Sequence, residues 1–327
     1  MRYIGDGAPA PAAVEVVRGG IVESVHRAHI AVVAPDGTVL QAAGDPQVAV
    51  FARSSLKPLL ATAMVEMGYR PTSPQIAALS ASSHSGEPSH VAMVEAMLAA
   101  VDLTAAALGN TPDWPFDEAA RVAWIASGGE KTRVHANCSG KHAAMLTTCL
   151  VNGWDTATYL DSSHPLPIAL GDAVAAMTGA NPADVSVDGC GAAIWAVPLA
   201  GLARGFAAMA AAEPGSAGRL IADGMRTAPE FVGGSHREST TLMQTFPGMI
   251  AKDGADGVYA AALPDGRAVA IKVEDGAARA RPAAIAGTLA RLGLDEEALA
   301  PVLDWEKVNG GGRPVGWMRP VMVLRDV

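Results

Sequence analysis

Two Pro-Asp-Gly tripeptides, Pro35-Asp36-Gly37 and Pro264-Asp265-Gly266, lie near opposite ends of the 327-residue chain, each between two short apolar runs. Proline presets φ at a turn corner, aspartate bonds its own backbone two residues on, and glycine accepts the left-handed conformation. Each tripeptide therefore predicts a hairpin, His29 to Val33 with Thr38 to Gln41, and Val258 to Leu263 with Arg267 to Val273. In the second return strand Ala268, Ala270 and Lys272 share one face, and Val269, Ile271 and Val273 share the other. A strand at Val14 to Val17 and a last one at about Arg319 to Leu324 complete the strand signals. Between them the apolar spacing predicts helices at about 55–67, 87–101, 140–151, 165–178, 191–211, 215–227 and 281–292, with a more irregular interval at about 103–136. Strands at both ends and helices in the middle predict a mixed α/β (α+β) chain, with an antiparallel sheet built from the terminal thirds. Residues 1–13 read as a loose Ala/Pro/Gly-rich segment. Residues 14–327 read as a single domain, its helical part at about 54–230 and its sheet from about 14–50 and 250–327.

Composition excludes several classes. Half the residues are hydrophobic but only 5% are aromatic, which predicts a core of small side chains and closely approaching backbones. The net charge of -9, without a basic run, argues against nucleic acid and against anionic membrane surfaces. The most apolar stretch, Gly189 to Ala203, is too short to span a bilayer and carries Pro198. The opening residues Met1 to Asp6 lack the apolar core of an export signal. Three cysteines, Cys138, Cys149 and Cys190, are an odd, low count that fits a reducing, cytoplasmic setting.

The run Arg53-Ser54-Ser55-Leu56-Lys57-Pro58 carries the sharpest chemical signal. Positions i and i+3 share a helix face, so the Lys57 amine can reach the Ser54 hydroxyl. A serine hydroxyl needs a neighbouring base, and a lysine serves only when neutral, after burial or a second cation has lowered its pKa. The apolar residues Leu59, Leu60, Ala61, Ala63 and Met64 would desolvate it, and Pro58 fits a first helical turn. The bland alternative is a serine cap followed by a solvated lysine. Arg53 is placed to hold a carboxylate bidentately.

Three further clusters precede helices. Ser80-Ala81-Ser82-Ser83-His84-Ser85-Gly86-Glu87-Pro88 gathers hydroxyls and N–H groups where an oxyanion or carboxylate would be favoured. Asn137-Cys138-Ser139-Gly140-Lys141-His142 brings Cys138 and Lys141 to one face, and Asp188-Gly189-Cys190-Gly191 is a tight turn. Two turn cysteines beside histidine, lysine and aspartate suit a thiolate-rich metal site of zinc type. Lysine ligates only when deprotonated, so the residue types alone nominate His142 over Lys141. His142 also joins Arg53 as a candidate substrate contact. Cys149, inside a helix, reads as packing.

A Ser-x-x-Lys helix combined with a lysine on a strand resembles the penicilloyl serine transferases and class A β-lactamases, whose Ser-Asp-Asn and Lys-Thr-Gly elements are absent here. Taken in order, the segments resemble a different family. They are Arg18 to His26, Arg53 to Pro58, Ser83 to Pro88, Asn137 to His142, Asp188 to Ala192, Lys252 to Val258 and Ile271 to Gly276. They are similar to the motifs of the Rhizobium etli type of L-asparaginase, the asparaginase II protein family, over about residues 14 to 320.

The resemblance implies a fold like that of serine β-lactamases and glutaminases, a homodimer, and hydrolysis of L-asparagine to L-aspartate and ammonia. It implies two Ser–Lys pairs, Ser54 with Lys57 and Ser83 with Lys272. It also implies a zinc ion held by Cys138, Lys141, Cys190 and water, with Asp188 beside it on the substrate. Ser54 is the preferred nucleophile and Lys57 its base, with Ser83 and Lys272 relaying protons to the leaving ammonia. The competing readings are a related glutaminase, β-lactam or peptide hydrolase, and a zinc-holding homologue without activity.

Overall fold

The computed structural model describes residues 9–181 and 183–327. Both Pro-Asp-Gly turns close hairpins. Strand Ile21–Val33 pairs antiparallel with Val39–Ala43, and Val258–Ala262 pairs with Ala268–Val273. The two hairpins meet through antiparallel pairing of Ile21–Val33 with Ala268–Val273, in which His29 stands opposite Lys272. Around this seam a nine-stranded sheet runs Val308–Gly310, Arg313–Pro320, Ala12–Arg18, Ile21–Val33, Ala268–Val273, Val258–Ala262 and Ile250–Asp253. Val39–Ala43 branches from the long strand, and Arg325–Asp326 pairs with Val39–Ala43. The sheet thus draws on both terminal thirds of the chain, and the fold is mixed α/β with an antiparallel sheet.

The helices come mostly where periodicity predicts them: Lys57–Glu66, Pro88–Ala99, Ser139–Val151, Pro165–Thr178, Ala217–Thr227 and Ala280–Arg291. The stretch predicted as one helix at 191–211 divides. Ala193–Pro198 is a strand between Ala49–Phe51 and Val185–Val187, and only Leu199–Ala210 is helical. Ile194, Trp195 and Val197 are strand formers, and Pro198 cannot continue a helix begun before it. The interval 103–136 holds a short exposed helix, Glu118–Ala126, and helices also form at Pro74–Ser80, Glu238–Thr245 and Glu296–Leu303. The last strand signal shifts forward, to Arg313–Pro320. The segment predicted as loose lies partly outside the described residues, and its Ala12 and Ala13 belong to the first strand.

Helix Lys57–Glu66 is the axis of the helical layer. Every residue from Lys57 to Val65 is buried, so it has no solvated face, and it packs against Pro165–Thr178, Ser139–Val151 and Ala217–Thr227. Small side chains permit the close approach. A Cβ on Gly140 would come within 2.5 Å of the Leu79 carbonyl oxygen, so the helix carrying Lys141 and His142 starts directly against Pro74–Ser80.

Candidate active site

A short 3-10 turn, Arg53–Leu56, feeds the buried helix, and Pro58 occupies its first turn, where the missing N–H costs nothing. Arg53 stands at φ 51, in the left-handed region that a side chain disfavours. The Ser55 N–H bonds the Ala52 carbonyl at 3.0 Å, so it is committed to the turn. Ser54 and Lys57 line a cleft of about 330 Å³ together with Arg53, Thr111, Asp113, Lys131, Asn137, Cys138, Asp188 and Cys190.

The pairing within this site differs from the one expected. Lys57 Nζ donates to Ser83 Oγ at 3.0 Å, and both groups are buried. Burial pushes the Lys57 amine down to about 8; the Lys141 and Lys252 charges push the same way, against Cys138. The second cation beside Lys57 is therefore not Lys272. Lys272 Nζ donates to the Asp256 carbonyl, and to the Val273 carbonyl at 2.9 Å. It is buried rather than solvated, and burial lowers its pKa against the opposing Asp256 and Asp275 charges. Among the described residues no hydrogen bond joins Lys272 to Ser83 or engages the Ser54 hydroxyl. The Ser83 backbone N–H bonds the Val232 carbonyl at 2.9 Å, and the neighbouring His84 N–H bonds the Asn137 carbonyl at 3.0 Å. His84 Nε2 meets Ser139 Oγ at 2.7 Å while its Nδ1 accepts from the Gly86 N–H at 3.1 Å, which makes Nε2 the protonated nitrogen. The Ser83 loop is thereby fastened to the turn that carries Cys138.

Arg53 holds protein carboxylates. Its Nε donates to Asp188 Oδ1 at 2.7 Å, and its Nη1 pairs with the Asp256 carboxylate. Burial works against the guanidinium charge, but Asp188 and Asp256 outweigh it and raise the Arg53 pKa. Nothing in the sequence marks Asp256 as a site residue, although it lies inside the motif segment Lys252 to Val258. That segment is the turn after strand Ile250–Asp253, and Gly254 seats it against the Ser54 turn. A Cβ there would lie 2.7 Å from the Ala52 oxygen and 2.8 Å from Ser55 Oγ. Behind the turn sits a buried charged cluster. Lys252 Nζ is 3.0 Å from Asp253 Oδ1, the Arg237 guanidinium pairs with Asp253, and Arg281 bonds Glu238 at 3.1 Å. Arg237 reaches this cluster from the N-cap of helix Glu238–Thr245.

Cys138, Cys190 and His142 form a third group whose Sγ and ring nitrogen atoms lie within 4.8 Å of one another. Lys141 Nζ is 3.4 Å from Cys190 Sγ. The side-chain interaction between the two thiols, with burial, raises the Cys138 pKa, and the same interaction lowers that of Cys190 against burial. Burial works against the Lys141 charge, but Cys190, Cys138 and Asp188 outweigh it and raise the Lys141 pKa. His142 is fully buried, with Nδ1 on the Tyr159 hydroxyl at 2.7 Å and Nε2 without a hydrogen-bond partner among the described residues. Burial first, then the Lys141 charge, pushes this imidazole down to about 4, so it is neutral. It is not among the residues that line the cleft, and it lies beside the two sulfurs. Two sulfurs and an unpartnered imidazole nitrogen fit a thiophilic divalent cation. Cys149 is buried in its helix, apart from this group.

No helix of the described residues is long and apolar enough to cross a membrane. No curated protein sequence matches the chain. Among solved structures it is similar to a β-lactamase from Mycobacterium bovis, at 20% identity and a TM-score of 0.46, over 82% of this chain and 95% of that one. The family model described as L-asparaginase II matches residues 14–320. The chain belongs to the L-asparaginase II family.

Proposed function

We propose that this protein hydrolyses the side-chain amide of L-asparagine to L-aspartate and ammonia through a serine ester. One observation carries the reading within the family: a lysine amine pushed by burial to about 8 sits 3.0 Å from a serine hydroxyl, on the wall of a cleft that a second serine lines. An amine with that pKa is in part neutral near pH 7 and can take a proton from an alcohol.

Ser54 Oγ attacks the amide carbon and its proton passes to Lys57. As the C–N bond breaks, the Lys57 ammonium returns that proton through the Ser83 hydroxyl to the leaving nitrogen, which departs as ammonia. Water then gives a proton to Lys57 and adds to the aspartyl ester, and Ser54 leaves with its hydroxyl restored. Asp188, steadied by Arg53, faces the substrate ammonium. Asp256 and the turn around Gly254 hold Arg53 and Lys272 in place, and Lys272 adds positive charge beneath the Ser54 turn.

The thiol cluster is the proposed zinc site, with Cys138 and Cys190 as ligands and Lys141 or His142 completing the set. Zinc supplies, when bound, a fixed positive charge beside the cleft. Cys138 and Cys190 shape that wall in either state.

The test is ammonia release from L-asparagine and L-glutamine by the wild-type chain and by Ser54→Ala and Lys57→Ala, with an acid quench to trap the ester. Release from asparagine, lost in both variants, with an aspartyl adduct on the Ser54 peptide, is the expected result. Full activity in either variant ends the mechanism, and an adduct on the Ser83 peptide moves the nucleophile there.

A further inference from the structure

We propose that Lys131 receives the α-carboxylate of the substrate, leaving Asp113 to do so. The inference rests on the asparaginase reading and concerns how that substrate is recognised. An amino-acid amide brings an ammonium and a carboxylate into the cleft along with its amide, and each needs an opposite charge. The cationic side chains lining the cleft are Arg53, Lys57 and Lys131.

Two of them are committed. Arg53 spends Nε on Asp188 at 2.7 Å and Nη1 on Asp256. The triad of Arg53, Asp188 and Asp256 carries one net negative charge, which suits the ammonium. Lys57 is buried on Ser83, and its neutral form is the base. Lys131 is different. Its ammonium is about half exposed, and its ion pair is with Asp113, 3.2 Å away and equally exposed. Exposed lysine–carboxylate pairs contribute little to stability, so an incoming carboxylate displaces Asp113 at small cost.

The support beneath Lys131 is rigid. Asp113 and Thr132 exchange backbone hydrogen bonds of 3.1 and 3.2 Å, forming an isolated antiparallel bridge. Thr111 Oγ1 donates to the Gly189 carbonyl at 3.1 Å, which ties this segment to the turn carrying Asp188. The group proposed for the ammonium and the one proposed for the carboxylate therefore stand on two connected loops. A long lysine stem on a fixed base brings a point charge to the ligand without moving the wall.

The experiment compares wild type, Lys131→Met and Asp113→Asn. It reads KM and kcat for L-asparagine, and the inhibition constant of 3-aminopropanamide, which keeps the ammonium and amide but lacks the carboxylate. Lys131→Met is expected to raise KM for asparagine about tenfold or more, the scale of one charge-assisted contact. Its kcat and its inhibition by 3-aminopropanamide are expected to stay within about twofold of wild type. Asp113→Asn, which frees the ammonium, is expected to leave KM unchanged or lower it. An unchanged KM in Lys131→Met, or equal losses for both compounds, overturns the assignment while leaving the asparaginase reading intact. A wild-type chain inert toward asparagine overturns both.

Discussion

Arg53 and Asp256 are paired across the site, and both have left-handed backbones, with φ of 51 and 54. Only Asp102 shares that conformation among the described non-glycine residues. Aspartate tolerates it better than arginine does. Asp256 also accepts from Lys272 through its carbonyl, so one residue fixes a guanidinium with its side chain and an amine with its backbone. Asp256→Ala removes the carboxylate and strains the backbone, whereas Asp256→Gly removes the carboxylate and relaxes it. Both variants are expected to lose about tenfold in kcat/KM, with the glycine variant more stable by about 1 kcal/mol. Steady-state kinetics beside thermal melting separates the two contributions. Wild-type activity in both variants would remove Asp256 from the site.

Lys57 sets the pH profile. Burial pushes its amine down to about 8, below its ordinary 10.5, so the neutral base gains population as pH rises toward 8. At pH 7 about one molecule in ten has that base, and kcat/KM is expected to rise about tenfold per pH unit before levelling. The same shift costs stability. The folded chain disfavours the charged amine, so the penalty is absent above pH 10.5, grows as pH falls from there, and is complete below about 8. A pH–rate profile of kcat/KM checks the first statement; a profile flat from pH 6 to 9 contradicts it.

Gly254 is a packing requirement rather than a hinge. An alanine there places Cβ 2.7 Å from the Ala52 oxygen, a backbone atom that yields only if the Ser54 turn moves. Gly254→Ala is expected to destabilise the chain by about 1–3 kcal/mol and to lower kcat more than it raises KM. Denaturant melts paired with kinetics read both. An unaltered melt shows that the turn has room to shift.

The thiol cluster predicts metal stoichiometry. Wild-type protein purified without chelator is expected to hold one zinc per chain by elemental analysis, and Cys190→Ser to hold almost none. His142→Ala is expected to weaken zinc about 10–100-fold, whether the imidazole binds the ion or only orders its neighbours. Equal zinc content in all three proteins dismisses the site.

Much of this was legible in the sequence, for identifiable reasons. The Pro-Asp-Gly hairpins and the buried helix after Ser54 follow local rules of turn chemistry and periodicity, and those rules hold here. The Ala193–Pro198 strand was hidden because an apolar run has no period that distinguishes a buried strand from a buried helix. The bond between Lys57 and Ser83 joins residues 26 positions apart, and no spacing rule reports it. The clustering of Cys138, Cys190 and the adjacent residues was suggested by residue type. The choice between Lys141 and His142 depends on where each side chain points, which sequence does not record. Asp256 lay in plain view in an Asp-Gly turn, but its role comes from a contact with Arg53 across 203 positions.

The seam between Ile21–Val33 and Ala268–Val273 has a consequence for biosynthesis. A growing chain that has reached about residue 240 already contains both serines, Lys57 and all three cysteines. It still lacks the strands that cover the open edge of the first hairpin and the turn that restrains Arg53. Such a nascent chain would expose an unpaired edge to its neighbours on a polysome, and it would stay inert until its final quarter left the ribosome.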